Sequence, residues 1–179
     1  MSQLRQYLSQ TPENKQRAAT IAYLASLAVI SQVKPMIAES ILNELRDQRR
    51  NLKLIASENF SSLAVQLAMG NLLTDKYSEG YVNHRFYAGC DHIDAIEGEA
   101  STLAKKIFGS DHAYVQPHSG ADANLVAFWS ILVQRVQNRE LEALGKLKLD
   151  ELSDKEYERI RQLLVAQKVM GLSLSSGGH

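Results

Sequence analysis

"HAYVQPHSGADANLVAFWSIL", residues 112–132, is the stretch whose reading decides the fold. "HAYVQ" reads as a short strand, Ser119-Gly120 as a tight turn, and residues 120–137 as a helix rich in apolar positions. A strand that passes through such a turn into a helix opens an α/β unit, and ligands of open α/β sheets gather at the carboxyl ends of the strands. The first N–H groups of the helix lack intrahelical acceptors and carry partial positive charge, so the turn suits an anion. Gly120 lets the backbone approach closely and Ser119 adds a hydroxyl. Equally, Ser119 suits the N-cap of an ordinary strand-to-helix turn. The stretch has neither the Gly-Lys-Ser/Thr of a nucleotide-triphosphate loop nor the triple glycine of a dinucleotide fold.

Toward the C-terminus, residues 133–168 are strongly charged and read as a helical surface insertion. Ser153 with Glu156 has capping-box spacing and predicts a helix over 154–168. "VMGLSLSSGGH" (169–179) reads as a second strand running into a glycine turn. Toward the N-terminus, Ile93, Ile96, Ala100, Leu103 and Ile107 share one face of a helix over 92–108. Acidic Asp91 and Asp94 near its start, Lys105 and Lys106 in its last turn, and Gly109 beyond it agree with the helix dipole and a C-terminal cap. Residues 52–91 lack periodicity apart from a short helix at 62–70. Their tyrosines and phenylalanine between 77 and 87 argue for an ordered, functional loop. Helices over 14–32 and 35–50, the second opened by Pro35, form a helical arm at residues 1–50. Residues 51–179 then hold the start of a larger domain. Two strands do not make a stable open sheet, so the chain reads as incomplete.

Composition narrows the function classes. Twenty basic residues balance twenty acidic ones in 179 residues, which gives no general affinity for nucleic acid or an anionic membrane. The basic run "RDQRR" (46–50) reads as a solvated helix end. Cys90 is the single cysteine, so no intramolecular disulfide forms, in keeping with a reducing compartment. The N-terminus is polar and lacks the apolar core of a secretory signal. The most apolar window, "IAYLASLAVI" (21–30), falls well short of the roughly 20 residues a membrane-spanning helix needs. The expectation is a cytoplasmic protein. His118, His179 and Cys90 show no metal-ligand spacing, and no metal is expected.

Two further stretches hold candidate chemistry. "KYSEGYVNHRFYAG" (76–89) sets Glu79 among Tyr77, Tyr81, Tyr87, His84 and Arg85. A carboxyl among aromatics suits acid–base work near neutrality; the competing reading is a solvated loop with Glu79 paired to Arg85. "LIASENF" (54–60) places Ser57, Glu58 and Asn59 after an apolar triplet, as a polar cluster aimed into a site or as the cap of the next helix.

In chain order, "LIASENFSS", "LTDKYSEGY", "RFYAGCDHID", "VQPHSGADAN" and "SGGH" resemble serine hydroxymethyltransferase. That is a pyridoxal-phosphate enzyme family of the aspartate-aminotransferase-like fold, fold type I. The resemblance is close over residues 50–128 and again over 168–179. It implies an α/β architecture in which this chain supplies the helical arm and the start of the large-domain sheet. It implies that Ser119, Gly120 and Ala121 hold the 5′-phosphate of pyridoxal phosphate, and that His179 stacks on the pyridine ring. Ser57 resembles the residue that helps hold the amino-acid carboxylate, and Glu79 the acid/base glutamate. Tyr77 and Tyr87 resemble tyrosines that reach, with that glutamate, into the partner subunit's site in a homodimer. Leu174 and Gly178, with His179, match positions near the folate. The implied substrates are serine, glycine and tetrahydrofolate. The family's usual Pro-Gly-Lys is Val82-Asn83-His84 here, and its frequent serine after Ser-Gly is Ala121. The cofactor-binding lysine is expected beyond His179, so the chain reads as an N-terminal part, inactive alone. Two rival readings are another fold type I enzyme, such as an aldolase, and a non-catalytic helical association module.

Overall fold

Local signals set most of the helices. Ser2 opens α1 (Gln3–Gln10), its hydroxyl accepting from the Arg5 N–H at 3.4 Å. α2 (Ala18–Val33) is apolar on every side. It stops at Lys34 because Pro35 cannot donate to a continuing ladder, and the same proline suits the first position of α3 (Pro35–Arg50). Arg49 and Arg50 sit in the last turn of α3, where the dipole favours cations. Ser62 caps α4 (Leu63–Met69) through the Val65 N–H.

The computed structural model describes residues 2–178 and divides into two compact units, residues 1–77 and 78–179. In the first unit α2 and α3 pack as a hairpin around Leu27 and Ala38, both buried. Ala38 is small enough for the two backbones to approach. The Tyr7 hydroxyl accepts from the Arg17 N–H at 3.0 Å and ties α1 to the start of α2.

The second unit starts with a two-stranded antiparallel hairpin, β1 (Gly80–Tyr81) and β2 (His84–Arg85), with Gly80 opposite Arg85 and Tyr81 opposite His84. Its turn places Asn83 at φ +62°, a left-handed conformation that asparagine tolerates better than most side chains. The expected Pro-Gly-Lys would place its glycine at this position. α5 (Asp91–Phe108) follows and ends at Gly109 in the left-handed conformation, as its charge order and glycine predict.

α6 (Gly120–Leu132) does not end as a helical path at 137. It runs through a π-helical turn at Val133–Gln137 into α7 (Asn138–Ala143). Gly145, at φ +66°, then closes α7: its N–H bonds to the Glu142 carbonyl and the Lys146 N–H reaches back to Leu141. α8 (Asp154–Val165) carries the expected cap, the Glu156 carboxylate accepting from the Ser153 N–H at 2.8 Å and from its hydroxyl at 2.6 Å. Leu141 and Ile160 are the buried apolar residues of α7 and α8, and Arg159 pairs with Glu140 at 3.1 Å.

The two strands expected in "HAYVQ" and at the start of "VMGLSLSSGGH" (169–179) do not form: among the described residues neither segment pairs with a neighbour. A strand is held by its ladder, and the described residues give these segments no partner. The 112–117 segment is instead pinned to α5, the Ser101 hydroxyl donating to the Ala113 carbonyl at 3.0 Å. The described chain is therefore mostly helical, with one short sheet. No helix among the described residues is long and apolar enough to cross a membrane.

Candidate active site

Arg85 organises the hairpin. Its side chain is only 5% exposed, yet all its bonds are to charged or carbonyl oxygens. Nε donates to Asp94 at 2.7 Å, and the terminal nitrogens donate to Glu97 at 2.6 Å and to the carbonyls of Ser78 and Gly80 at 2.8 and 3.0 Å. The Glu97 and Asp94 carboxylates raise the guanidinium's already high pKa. In return the Arg85 guanidinium, helped by the Asn83 N–H, holds the Asp94 carboxyl below its usual range. The two acids sit three residues apart, on one face of α5. Asp94 thus serves the hairpin more than the helix dipole. The Glu79–Arg85 pair of the solvated-loop reading does not form, because Asp94 and Glu97 occupy the guanidinium.

With Arg85 committed, the Glu79 carboxylate is left to Tyr87, whose hydroxyl donates to it at 3.3 Å. The Phe86 N–H donates to the Glu79 carbonyl at 3.0 Å and keeps the two residues on one turn of chain. Gly80 lies between them and Arg85 in a space that admits no side chain. Its φ is +114°, and a Cβ there would run into the His84 carbonyl and the Arg85 Cα. Tyr87 and Glu79 are both exposed. Cys90, in contrast, is buried just before α5, its thiol bonded to the Tyr87 carbonyl.

At the Ser-Gly turn, Ser119 caps α6, its hydroxyl oxygen accepting from the Asp122 N–H at 3.1 Å. The hydroxyl proton remains to be donated outward. The side where a Cβ of Gly120 would project is open, with nothing within 4 Å. The N–H groups of Gly120 and Ala121 belong to the first turn of α6, where intrahelical acceptors are lacking. Asp122, also in the first turn, adds a negative charge beside them.

Sequence reasoning passed over Gln116, which ties the two regions together. Its amide nitrogen donates to the Gly80 carbonyl and to Glu97, each at 2.8 Å. Its amide oxygen accepts from the Tyr114 hydroxyl at 3.1 Å, which turns the nitrogen toward the hairpin. The signal in the sequence was the pair of acids following Arg85 at helical spacing, together with a glutamine just before the turn.

Ser57 and Tyr77 belong to the first unit. Ser57 lies exposed on a groove of about 610 Å³ shared with Glu44, Arg49, Lys53 and Asn59. Tyr77 is exposed at the end of that unit. Leu174 starts a short 3₁₀ turn (Leu174–Ser176) closed by Gly177 at φ +83°, and the Gly178 N–H returns to the Ser173 carbonyl at 2.9 Å. His179 lies outside the described residues. Among the described residues no cluster of histidine, cysteine and acidic groups could hold a metal.

The family model for serine hydroxymethyltransferase matches residues 30–155. The chain belongs to the serine hydroxymethyltransferase family. It is 53% identical over 178 residues to a serine hydroxymethyltransferase of Treponema pallidum (strain Nichols), covering 99% of this chain and 31% of that protein. A serine hydroxymethyltransferase of Chlamydia trachomatis serovar D is 52% identical over 167 residues, covering 93% and 34%. One from Mycolicibacterium smegmatis is 51% identical over 161 residues, covering 90% and 33%. The chain thus spans about a third of the length of the curated relatives it matches. Membership in the serine hydroxymethyltransferase family carries with it the fold type I architecture of pyridoxal-phosphate enzymes.

Proposed function

We propose that the protein to which this chain contributes transfers the hydroxymethyl carbon of serine reversibly to tetrahydrofolate, giving glycine and 5,10-methylenetetrahydrofolate. Family membership supports the reaction class. The observation that carries the reading is the Glu79 carboxylate, bonded to the Tyr87 hydroxyl on a hairpin whose arginine is already neutralised elsewhere.

The Ser-Gly turn fits the phosphate of pyridoxal phosphate. Gly120 leaves the approach open, the first-turn N–H groups lack intrahelical acceptors and would hold the phosphate, and Ser119 keeps a proton to donate. When bound, the cofactor supplies the electron sink for cleavage at the serine α-carbon. The chain's own residues do the rest. Ser57 helps bind the amino-acid carboxylate. Glu79 holds or moves a proton at the hydroxymethyl oxygen, and Tyr87, with Tyr77, orients it. His179 covers the pyridine ring, and Leu174 and Gly178 contribute to folate binding. The reading takes the protein as a cytoplasmic homodimer in which Tyr77, Glu79 and Tyr87 serve the partner's site. It takes residues 133–168 as a surface element outside the chemistry.

The test is Glu79→Gln in a full-length protein carrying this chain. Cofactor absorbance is expected to persist while folate-dependent serine cleavage falls by roughly 10²–10⁴-fold. Unchanged turnover would sink the assignment.

A further inference from the structure

Gln116 is half-buried, and its amide nitrogen donates twice toward the hairpin: to the Gly80 carbonyl beside Glu79 and to Glu97, each at 2.8 Å. Arg85 donates to the same carbonyl and to the other oxygen of Glu97, so the two side chains share their acceptors. The Tyr114 hydroxyl donates to the amide oxygen and holds its orientation. On the other side, only Pro117 and His118 separate Gln116 from Ser119, and the proline ring removes one backbone rotation from that short link. An anion seated on the Ser119 hydroxyl and the first N–H groups of α6 would restrain the link and, through Gln116, the hairpin. In a dimer with shared sites, these two ends serve different reaction centres. The Ser-Gly turn holds its own chain's cofactor, whereas Glu79 works in the partner's site. We propose that Gln116 couples the two active sites of the dimer: cofactor on one chain's Ser-Gly turn steadies the hairpin that the same chain lends to its partner. The proposal rests on the shared-site reading given above. The coupling acts through order and needs no displacement of the hairpin. Linkage makes it reciprocal: engagement of the hairpin in the partner's site tightens the cofactor on the lending chain by the same factor.

Mixed dimers of a full-length protein carrying this chain separate the two ends. One chain carries Gly120→Val to empty its turn, while the other is isotope-labelled and keeps its own, with absorbance checking for a single cofactor per dimer. The labelled chain's hairpin then faces an empty partner site, so no cofactor there can touch it. Adding pyridoxal phosphate should slow amide exchange over residues 78–87 of the labelled chain by about fivefold or more, the lower end of couplings between sites. Gln116→Leu in that chain keeps much of the bulk and removes the donors, and should cut the response to less than about twofold. If the leucine variant does not assemble, Gln116→Asn, which shortens the reach of the amide, takes its place. A hairpin that ignores the cofactor, or one that responds equally without Gln116, overturns the proposal. A second pairing tests the reading beneath it. Joining a Gly120→Val chain to a Glu79→Gln chain sorts both lesions into one shared site and leaves the other whole. About half of the parent's folate-dependent turnover should then return, because a two-fold dimer has two equal sites. Turnover no better than that of either variant alone would remove the shared-site reading, and the proposal with it, whatever the exchange shows.

Discussion

Ser119 and Gly120 serve an anion in different ways, and substitution separates them. The Ser119 hydroxyl does two jobs, capping α6 through the Asp122 N–H and keeping a proton for a ligand. Ser119→Ala should therefore lower stability by about 1 kcal/mol as a lost N-cap. It should also remove one bond to a charged group, about 1.5–3 kcal/mol or one to two decades of cofactor affinity. A Cβ on Gly120 would meet no other residue within 4 Å. Gly120→Val should fold normally, yet bind pyridoxal phosphate more weakly than Ser119→Ala, because its branches would cover the N–H groups. Cofactor titration of both variants, with circular dichroism for folding, checks the order. If both bind like the parent, the turn is only a cap. The turn was legible because its chemistry is local. The role of Arg85 was not, since its partners lie 9 and 12 residues away. In sequence Asp94 reads as a dipole-complementing residue of α5, and Glu97 carries no such signal.

Among the elements, α3 and α5 were legible because apolar period and a terminal signal agree, proline at one start and glycine at the other's end; α8 was announced by its serine–glutamate cap alone, and it ends at Val165 rather than 168. The hairpin at 80–85 escaped because two-residue strands show no alternation, and the two expected strands failed because pairing is not a local property. α8 also offers a pH test. Lys146 at 2.7 Å, joined by the Ser153 hydroxyl and N–H, pulls the Glu156 carboxyl from 4.5 to about 2. A carboxyl depressed by folding adds stability that is whole above pH 4.5 and drains away as pH falls toward about 2. Glu156→Gln should therefore lose protection of the α8 amides relative to the parent at neutral pH. That difference should close between pH 4.5 and about 2. A difference that persists at the acid end would place the effect elsewhere than in the carboxylate.

For the whole molecule, the family was legible from motif order alone, whereas the arrangement of the elements was not. α6 carries Leu125, Phe128 and Trp129 largely in the open, and α5 carries Ile107 and Phe108 likewise. Periodicity identifies such faces as meant for burial but does not name what covers them. The 179-residue chain by itself is expected to be inactive. Borohydride reduction in the presence of pyridoxal phosphate should yield no stoichiometric adduct at any one of its lysines, and mass spectrometry would expose one. Gly80 bears on the same molecule in another way. With its φ at +114° and its Cβ direction filled by His84 and Arg85 backbone, the position is closed to every other amino acid. Its carbonyl meanwhile takes bonds from both Arg85 and Gln116. Mutational drift is restrained at Asn83, held at φ +62°, but is stopped outright only at this one site, which remains the bottleneck. A lineage could rewrite the loop's surface many times over, but each surviving version would have to thread through the same glycine.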